Sequence, residues 1–302
     1  PNAKTLLVIN NFDVMPAEEP DWVVPPFGAE IIDPERIGMP SSLGKLLVAR
    51  GSGDYKAPTM NFFHAMDTLL KVTGDVPVNI IFAIEGEEEI GSPHLRNFLD
   101  ECYDDLKTAD SGHFHGMRTE GKNRLLIPRG YKGWLNLEIE VAGGDWGGSS
   151  RQLHAPDCGW VDAPIPHLLA ALECLMDKDG NILVEGFFDE VRSLTPIEKE
   201  EMRIIEEDFD EEGVKQALDL KKFKGGRPGR EMVSDYVMRP VMNIDGIIGG
   251  YTGEGNFTNL PQNAVVKMDV RIVPDMKPDV TVEKIKAHLV KQGFPEVQVR
   301  VP

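Results

Sequence analysis

The chain has 302 residues, of which 41% are hydrophobic and 27% charged, and its formal net charge is −18. This composition is typical of a soluble globular protein, and the length suits one large or two ordinary domains. The excess of acids argues against nucleic acid or an anionic membrane as partner, because both attract clustered Lys and Arg. No apolar run approaches the roughly 18 residues of a membrane span. The three cysteines form no zinc-type CxxC pair, and we expect a reduced, cytoplasmic protein.

Alternating strands and helices are predicted for the first 130 residues. Continuous apolar runs at 4–10 and 78–85 are typical of parallel strands buried on both faces. Between them, residues 57–72 form a helix whose apolar stripe contains Phe62, Phe63, Met66, Leu69 and Leu70. A further helix is expected after the second strand, with Ser92 as its N-cap and Pro93 in its first position. This order predicts an α/β domain.

The pattern changes near residue 130. Alternation of apolar and polar residues predicts strands with one solvated face at 133–141, 264–273 and 296–301. Helical periodicity occurs at 164–176 and 281–293. The acidic run at 197–213 is typical of a solvated helix and connector. Residues 131–302 therefore resemble a small α+β layer, with helices on one face of a sheet.

Acidic side chains follow the predicted parallel strands, at the edge where open α/β sheets bind ligands. Asp13 follows the first strand, Glu88 and Glu89 follow the second, and Asp110 follows a short possible strand. Asp54 precedes the long helix. Carboxylate oxygens suit divalent cations, and one of the adjacent glutamates could bind metal while the other acts as a base. Taken singly, each acid is equally compatible with an ordinary loop.

Three motifs in a fixed order add a family resemblance. They are FDVMPAEEPDWVVPPFGAEIID (12–33), ARGSGDYKA (49–57) and EGEEEIGS (85–92), followed by a lid-like stretch at 243–274. Together they resemble the M20 family of co-catalytic zinc metallopeptidases, which includes carnosinases, aminoacylase, glutamate carboxypeptidases and succinyl-diaminopimelate desuccinylase. The resemblance covers nearly the whole chain. It implies a parallel-sheet α/β catalytic domain at residues 1–130, incomplete at both ends, and an inserted ferredoxin-like α+β lid and dimerisation domain at 131–302.

The resemblance also implies roles for the acids. Asp54 would bridge two metal ions, and Glu89 and Asp110 would each bind one of them. Glu88 would be the general base. Asp13 would orient the metal ligand that lies two residues before it. The implied cofactor is one or two divalent ions, Zn or Mn.

The lid residues receive implied roles in the same way. His154 resembles the histidine that reaches the active site of a partner subunit and stabilises the oxyanion. Asn243 and Arg271 resemble groups that hold the substrate, and the guanidinium of Arg271 suits a terminal carboxylate. Thr258 is a further candidate of this kind. The implied partners are a small peptide or N-acyl amino acid as substrate and a second copy of the chain, in a homodimer formed through the lid.

The sequence departs from the family pattern at the imidazole ligands. The family's His-x-Asp motif is Asn11-Phe12-Asp13 here, and an amide is a poor zinc ligand. The family's last ligand is a histidine beyond the lid, whereas this sequence stops at Pro302, so we expect it to be the middle of a longer protein.

The remaining predicted ligands, Asp54, Glu89 and Asp110, are all carboxylates, and an all-oxygen site favours Mg, Ca or Mn. His113 and His115 follow Asp110, but nothing in their spacing to the other acids predicts a ligand role.

Two functions from different classes remain open. In the first, the complete protein is a metal-dependent hydrolase of amide bonds, and the intact acid pair Glu88 and Glu89 favours this function. In the second, it is a non-catalytic or single-metal relative, either a binding or regulatory protein or a hydrolase of a different C–N bond. Asn11 favours the second.

Overall fold

The computed structural model describes residues 3–114, 118–120 and 124–302. The chain divides into two compact units, one that ends at Arg129 and one that runs from Gly130 to Pro302. Among the helices within the described residues, none combines the length and the apolar character that a membrane span requires.

The amino-terminal unit contains a three-stranded sheet whose strand pairs are parallel. Its elements are β1 (Thr5–Asn11), β2 (Glu30–Ile32), β3 (Leu46–Val48), α1 (Ala57–Thr73), β4 (Asn79–Glu85), α2 (Leu95–Glu101), α3 (Tyr103–Leu106), β5 (Ser111–Phe114), β6 (Arg118–Glu120) and β7 (Arg124–Leu126). The main sheet has the order β4–β1–β5, and β2 with β3 and β6 with β7 form separate antiparallel pairs. This arrangement confirms the predicted α/β class with a parallel sheet.

Helix α1 packs its aromatic residues against β4. The ring of Phe82 lies 5.7 Å from that of Phe62 and 5.1 Å from that of Phe63, measured between centroids. The helix ends at Gly74, whose φ of 77° gives the left-handed cap and whose N–H donates to the Leu70 carbonyl over 3.0 Å. Helix and strand therefore meet as the apolar periodicity predicts.

The carboxyl-terminal unit has the ferredoxin-like βαββαβ order within its main sheet. Its elements are β8 (Gly133–Ala142), β9 (Leu153–His154), α4 (Pro164–Leu175), α5 (Pro196–Glu207), α6 (Glu211–Ala217), α7 (Val233–Met238), β10 (Val241–Gly249), β11 (Asn259–Leu260), β12 (Asn263–Ile272), α8 (Pro278–Lys291) and β13 (Gln298–Arg300). The four-stranded antiparallel sheet has the order β10–β12–β8–β13, which is the ferredoxin-like order.

One face of this sheet forms a hydrophobic core with α4 and α8. Alternate residues of β8 and β12, such as Ile139 and Val266, are fully buried, and so are Leu175 and Ile285 of the two helices. Burying each such side chain contributes about 1.5–3 kcal/mol. The opposite face carries polar and aromatic side chains, and we call it the open face of the lid sheet.

Candidate active site

The ends of β1 and β4 meet at the carboxyl edge of the parallel sheet. Asn11 is paired with Glu85 in the ladder between these strands, and the N–H of Phe12 donates to the Glu85 carbonyl over 3.1 Å. The segments that follow the two strands therefore emerge side by side, at the edge where open α/β sheets bind ligands. Asp13 comes from the first segment and Glu88 from the second.

Asp13 connects the two segments through both of its carboxylate oxygens. Its Oδ2 accepts the N–H of Glu89 over 2.8 Å, and its Oδ1 accepts the side-chain amide of Asn11 over 3.2 Å. Burial alone would raise the pKa of Asp13, but these hydrogen bonds outweigh it and hold the pKa below its ordinary value. Asp13 is thus an ionised acid that orients the side chain of Asn11.

Asn11 is buried, with 1% of its surface exposed, and its Oδ1 has no hydrogen-bond partner among the described residues. The neighbouring Asn10 fixes the backbone here, because its Oδ1 accepts the N–H of Asn11 over 2.8 Å and its Nδ2 donates to the Thr59 hydroxyl. An unpaired buried oxygen costs about 1–3 kcal/mol. Asn11 Oδ1 is therefore available as a ligand for a cation at this edge.

Glu88 and Glu89 begin a single helical turn directly after β4. Partial desolvation raises the pKa of Glu88, and the negative charges of nearby acids raise it further. In order of effect these acids are Glu89, Asp13, Asp54 and Glu85. The carboxylates at this edge thus repel one another, and a bound cation would relieve that repulsion.

Asp54 lies in the turn before α1, close enough for its charge to act on Glu88, and the peptide bond that follows Asp54 is cis. Lys56 holds the turn by donating to the carbonyl of Phe12. At Gly51, φ is 80°, and an added Cβ would stand 2.3 Å from a methyl carbon of Val14, so only glycine permits this close approach.

Asp110 lies at the opposite edge of the sheet, and the prediction that it follows a strand is wrong. Because β5 begins at Ser111, Asp110 precedes its strand. Its Oδ2 accepts the N–H of Thr5 over 2.8 Å and it forms an ion pair with Lys4. These two contacts, the ion pair first, lower the pKa of Asp110. The length of β1, about 20 Å at 3.3 Å per residue, separates Asp110 from the cluster around Asn11.

The described residues offer oxygen donors at this edge but no imidazole. No group of three or more His, Cys, Asp and Glu side chains within the described ranges is placed to hold a metal ion. The ring of His113 packs against an aromatic side chain, and His115 lies outside the described residues. The donors that remain are the side-chain oxygens of Asn11, Asp54 and Glu89. They do not fit a zinc centre, but they suit Mg²⁺ or Mn²⁺.

Two predicted substrate residues lie together on the open face of the lid sheet. Arg271 is paired with Trp134 in the β12–β8 ladder, and its guanidinium lies 5.0 Å from the indole centroid. Asn243 is paired with Asp269 in the next row. Asp269 also accepts from Arg271, over 2.8 Å from Nε and 2.6 Å from a terminal nitrogen. The guanidinium is thus already aligned by one carboxylate.

The other two predicted lid residues lie at the far end of β12. His154 is paired with Asn259 between β9 and β11, and the N–H of Ala155 donates to the Thr258 carbonyl over 3.1 Å. Both His154 and Thr258 are exposed. Along β12, Asn263 and Arg271 are eight residue steps apart, about 26 Å, so the two pairs lie at opposite ends of this strand within one lid.

Sequence reasoning missed three supporting residues, Asn10, Lys56 and Asp269. A polar residue inside the apolar run of β1 was a signal for Asn10. Strict alternation places Asp269 on the same strand face as Arg271, two residues away, so this contact was also readable. The contact from Lys56 to the segment after β1 spans 44 residues, and no local pattern indicates it.

The chain resembles known proteins along almost its full length. A family model for the M20 peptidase dimerisation domain matches residues 141–296, just over half of the chain. The Cys-Gly metallodipeptidase dug1 of Schizosaccharomyces pombe is 28% identical over 96% of this chain and 58% of its own. The Beta-Ala-His dipeptidase of Mus musculus is 27% identical over 96% and 56%. This chain therefore spans a little over half the length of these curated relatives.

Solved structures show the same resemblance. The M20 family metallo-carboxypeptidase Sso-CP2 from Sulfolobus solfataricus has a TM-score of 0.83 and 34% identity, over 99% of this chain and 64% of its own. Dug1p from Saccharomyces cerevisiae has a TM-score of 0.74 and 25% identity, over 100% and 61%. By its dimerisation domain, its fold and these relatives, the chain belongs to the M20 peptidase family.

Proposed function

We propose that the full-length protein is a metal-dependent hydrolase of amide bonds in small peptides or N-acyl amino acids. The observation that carries this proposal is the contact between Asp13 and the N–H of Glu89, which fixes the turn with Glu88 and Glu89, after β4, beside the end of β1. The names of the relatives support it, since they include a Cys-Gly metallodipeptidase, a Beta-Ala-His dipeptidase and a metallo-carboxypeptidase.

Each residue at the sheet edge has a role in this proposal. Asn11 Oδ1, Asp54 and Glu89 would hold the divalent cation, with Mn²⁺ favoured over Zn²⁺ by the oxygen donors. When bound, the cation supplies Lewis acidity and a lowered pKa of water. Glu88 accepts the proton of the attacking water and passes it to the leaving amine. Asp13 positions Asn11 and the turn that carries Glu88.

The change Glu88→Gln tests the proposed base. Turnover of a dipeptide panel is expected to fall by at least about 10²-fold, while bound metal measured by elemental analysis is unchanged, because a neutral amide cannot accept the proton. Glu87→Gln is the matched control, since Glu87 pairs instead with His94, at 2.9 Å. Turnover that survives Glu88→Gln would exclude Glu88 as the base.

A second candidate function is a single-metal or non-catalytic relative on the same scaffold. Two observations favour it, namely Asn11 in place of an imidazole and the engagement of Asp110 with Lys4 at the other sheet edge. Asn11→His separates the candidates. Tighter zinc binding in the full-length protein would show that residue 11 faces a metal site, and unchanged binding would favour the non-catalytic relative.

The lid supports a homodimer with shared active sites. One dipeptide is far shorter than the separation of about 26 Å between the Arg271 and His154 ends of β12, so a single lid cannot place both groups on one substrate. A second copy would supply His154 and Thr258. Co-expression of Arg271→Met with His154→Ala chains is therefore expected to restore about a quarter of wild-type turnover, because half of the random dimers are mixed and each has one intact site. Each variant expressed alone is the inactive control.

The location of the protein stays a prediction. The three cysteines, Cys102, Cys158 and Cys174, are all free thiols in the structure, which is compatible with the reducing cytoplasm that we propose.

A further inference from the structure

Three cations at one end of the lid lie against aromatic rings. The guanidinium of Arg271 covers Trp134, as described above. The Lys132 ammonium lies 6.0 Å from the ring centroid of Tyr236, and the Arg239 guanidinium lies 5.4 Å from that of a phenylalanine. Lys132 also donates to the Arg239 carbonyl over 2.6 Å, which ties two of the cations together. Such a group of three cations is notable in a chain whose formal net charge is −18.

Two of these cations have no carboxylate partner among the described residues. Neither Lys132 nor Arg239 forms an ion pair within the part of the chain that the structure describes. The acid that approaches Lys132, Asp235, is itself paired with Arg227 at 3.1 Å. Lys132 is half-buried, and burial together with the charge of Arg271 lowers its pKa. A desolvated ammonium without a counter-ion is costly, so an anion that binds here is stabilised.

The strand register brings Lys132 and Arg271 within reach of one small anion. Trp134 is the direct cross-strand partner of Arg271, and Lys132 stands two residues before Trp134. Lys132 lies one residue before β8, and the charge of Arg271 acts on its ammonium. By the spacing of diagonal neighbours in a ladder, its Cα would lie roughly 7–8 Å from that of Arg271, a distance that two long side chains can bridge onto one carboxylate. The guanidinium offers a planar fork, whereas the ammonium offers a compact point charge.

We propose that Lys132 is a second carboxylate-binding cation, which holds the C-terminal carboxylate of a peptide ligand together with Arg271. This inference rests on the proposed peptide-hydrolase function and names the group that recognises the leaving-group end. Trp134, with 57% of its surface exposed, provides an apolar wall beside the two cations. A ligand whose carboxylate is capped loses both charge-assisted contacts.

A purely structural role for Lys132 gives a different result. Its ammonium donates to a carbonyl just after the last residue of α7, where a positive charge stabilises the helix end. In that case the loss of Lys132 would lower stability and would weaken the binding of all ligands alike. The discriminating quantity is thus the preference for a free carboxylate over a capped one.

The test uses two dipeptide isosteres in which the scissile amide is a methylene-amine, one with a free carboxylate and one with a C-terminal amide. Their affinities for the full-length protein are measured by calorimetry in EDTA, so neither hydrolysis nor metal contributes. We expect wild type to prefer the free carboxylate by about tenfold or more, and Lys132→Met to abolish most of this preference. Lys132→Arg keeps the charge and is expected to retain the preference.

Lys267→Met is the matched control, because Lys267 lies on the open face four residues from Arg271 and is paired with Glu138 at 3.1 Å. It should retain the full preference. An unchanged preference in Lys132→Met, equal loss for both isosteres, or no preference in wild type would each overturn the proposal. A preference that depends on Lys132 in a protein without peptidase activity would leave this site standing and reject the hydrolase. Hydrolysis of dipeptides without a preference for the free carboxylate would support the hydrolase and reject the role of Lys132.

Discussion

The two units differ sharply in how they bury apolar side chains. In the carboxyl-terminal unit, one face of the lid sheet and helices α4 and α8 share a continuous core with many side chains at or near zero exposure. Among the residues before Arg129 whose side chains the structure describes, the buried apolar ones are Val8, Val24, Ile32 and Ala83, together with Pro34 and Pro58. Phe82 and Ile84 of β4 stay 40% and 37% exposed, and Leu70 of α1 stays 51% exposed.

The larger hydrophobic core therefore lies in the carboxyl-terminal unit, whereas the candidate metal-binding acids lie in the amino-terminal unit. The lid has its own core and carries Arg271 on the open face of its four-stranded sheet, whereas Glu88 and Glu89 follow a parallel sheet whose apolar residues are partly solvated. Exposed apolar surface, where it forms a large patch, often marks a contact with further protein. We therefore expect the amino-terminal unit to depend on additional protein surface in the full-length protein, and the lid to fold without it.

The largest expected effect comes from expressing the units separately. Residues 130–302 should unfold in one cooperative urea transition, because they share one continuous core of buried side chains. Residues 3–129 should show no cooperative transition and should bind a dye that recognises exposed apolar surface. Cooperative unfolding of the amino-terminal fragment would show that this unit has a stable core of its own.

A pair of matched truncations gives the next largest effect. Ile139→Ala removes a fully buried side chain of β8 and is expected to lower the free energy of unfolding by about 2–5 kcal/mol. Ile84→Ala, at a β4 position that is 37% exposed, should cost less than about 1.5 kcal/mol. Equal costs, measured by urea unfolding of the whole chain, would mean that the exposed faces of β4 are buried in solution.

A smaller effect is expected at the start of α5, within the lid. The Thr195 hydroxyl accepts the N–H of Glu198 over 3.3 Å, and the Glu198 carboxylate accepts the N–H of Thr195 over 2.8 Å. Thr195→Ala removes half of this capping box and should cost about 1 kcal/mol in urea unfolding. Thr195→Ser, which keeps the hydroxyl, should cost much less. A loss of the same size in both variants would exclude the cap as its cause.

The pH dependence of the lid gives the smallest expected effect. The guanidinium of Arg192, 2.7 Å from each carboxylate oxygen, and the N–H of Thr195 lower the pKa of Glu198 from 4.5 to about 2. Because the folded pKa is depressed, this contribution is complete above pH 4.5 and is lost as the pH falls towards 2. Glu198→Gln should flatten the stability profile in that window. An unchanged profile in Glu198→Gln would contradict the pairing.

Strong periodicity explains what the sequence predicted well. Strands β1, β4, β8 and β12 and helices α1 and α4 begin and end within about two residues of the predicted bounds. Helix α8 starts three residues before its prediction, at Pro278, because proline suits the first helical turn. The sequence also predicted the apolar stripe of α1, but not the exposure of its residues. Periodicity identifies which face of a helix is apolar, and it does not show whether another element covers that face.

Short elements and long-range contacts explain the errors. Ser92 was predicted as an N-cap, but its φ of 52° is incompatible with that role, and α2 begins at Leu95. Strand β5 has four residues, too few to show a period, so Asp110 was placed after a strand that it precedes. The position of Glu88 and Glu89 was predictable because they follow a long apolar strand closely.

We propose that Asn11, Asp54 and Glu89, at the ends of β1 and β4, hold a divalent cation that peptide hydrolysis by the full-length protein requires. The most direct measurement is the metal content of the dialysed full-length protein, followed by turnover of a dipeptide panel before and after chelation. We expect about one equivalent or more of a divalent ion, loss of turnover in EDTA and recovery of turnover with Mn²⁺. Less than about a tenth of an equivalent, with no turnover after addition of Mn²⁺ or Zn²⁺, would contradict it.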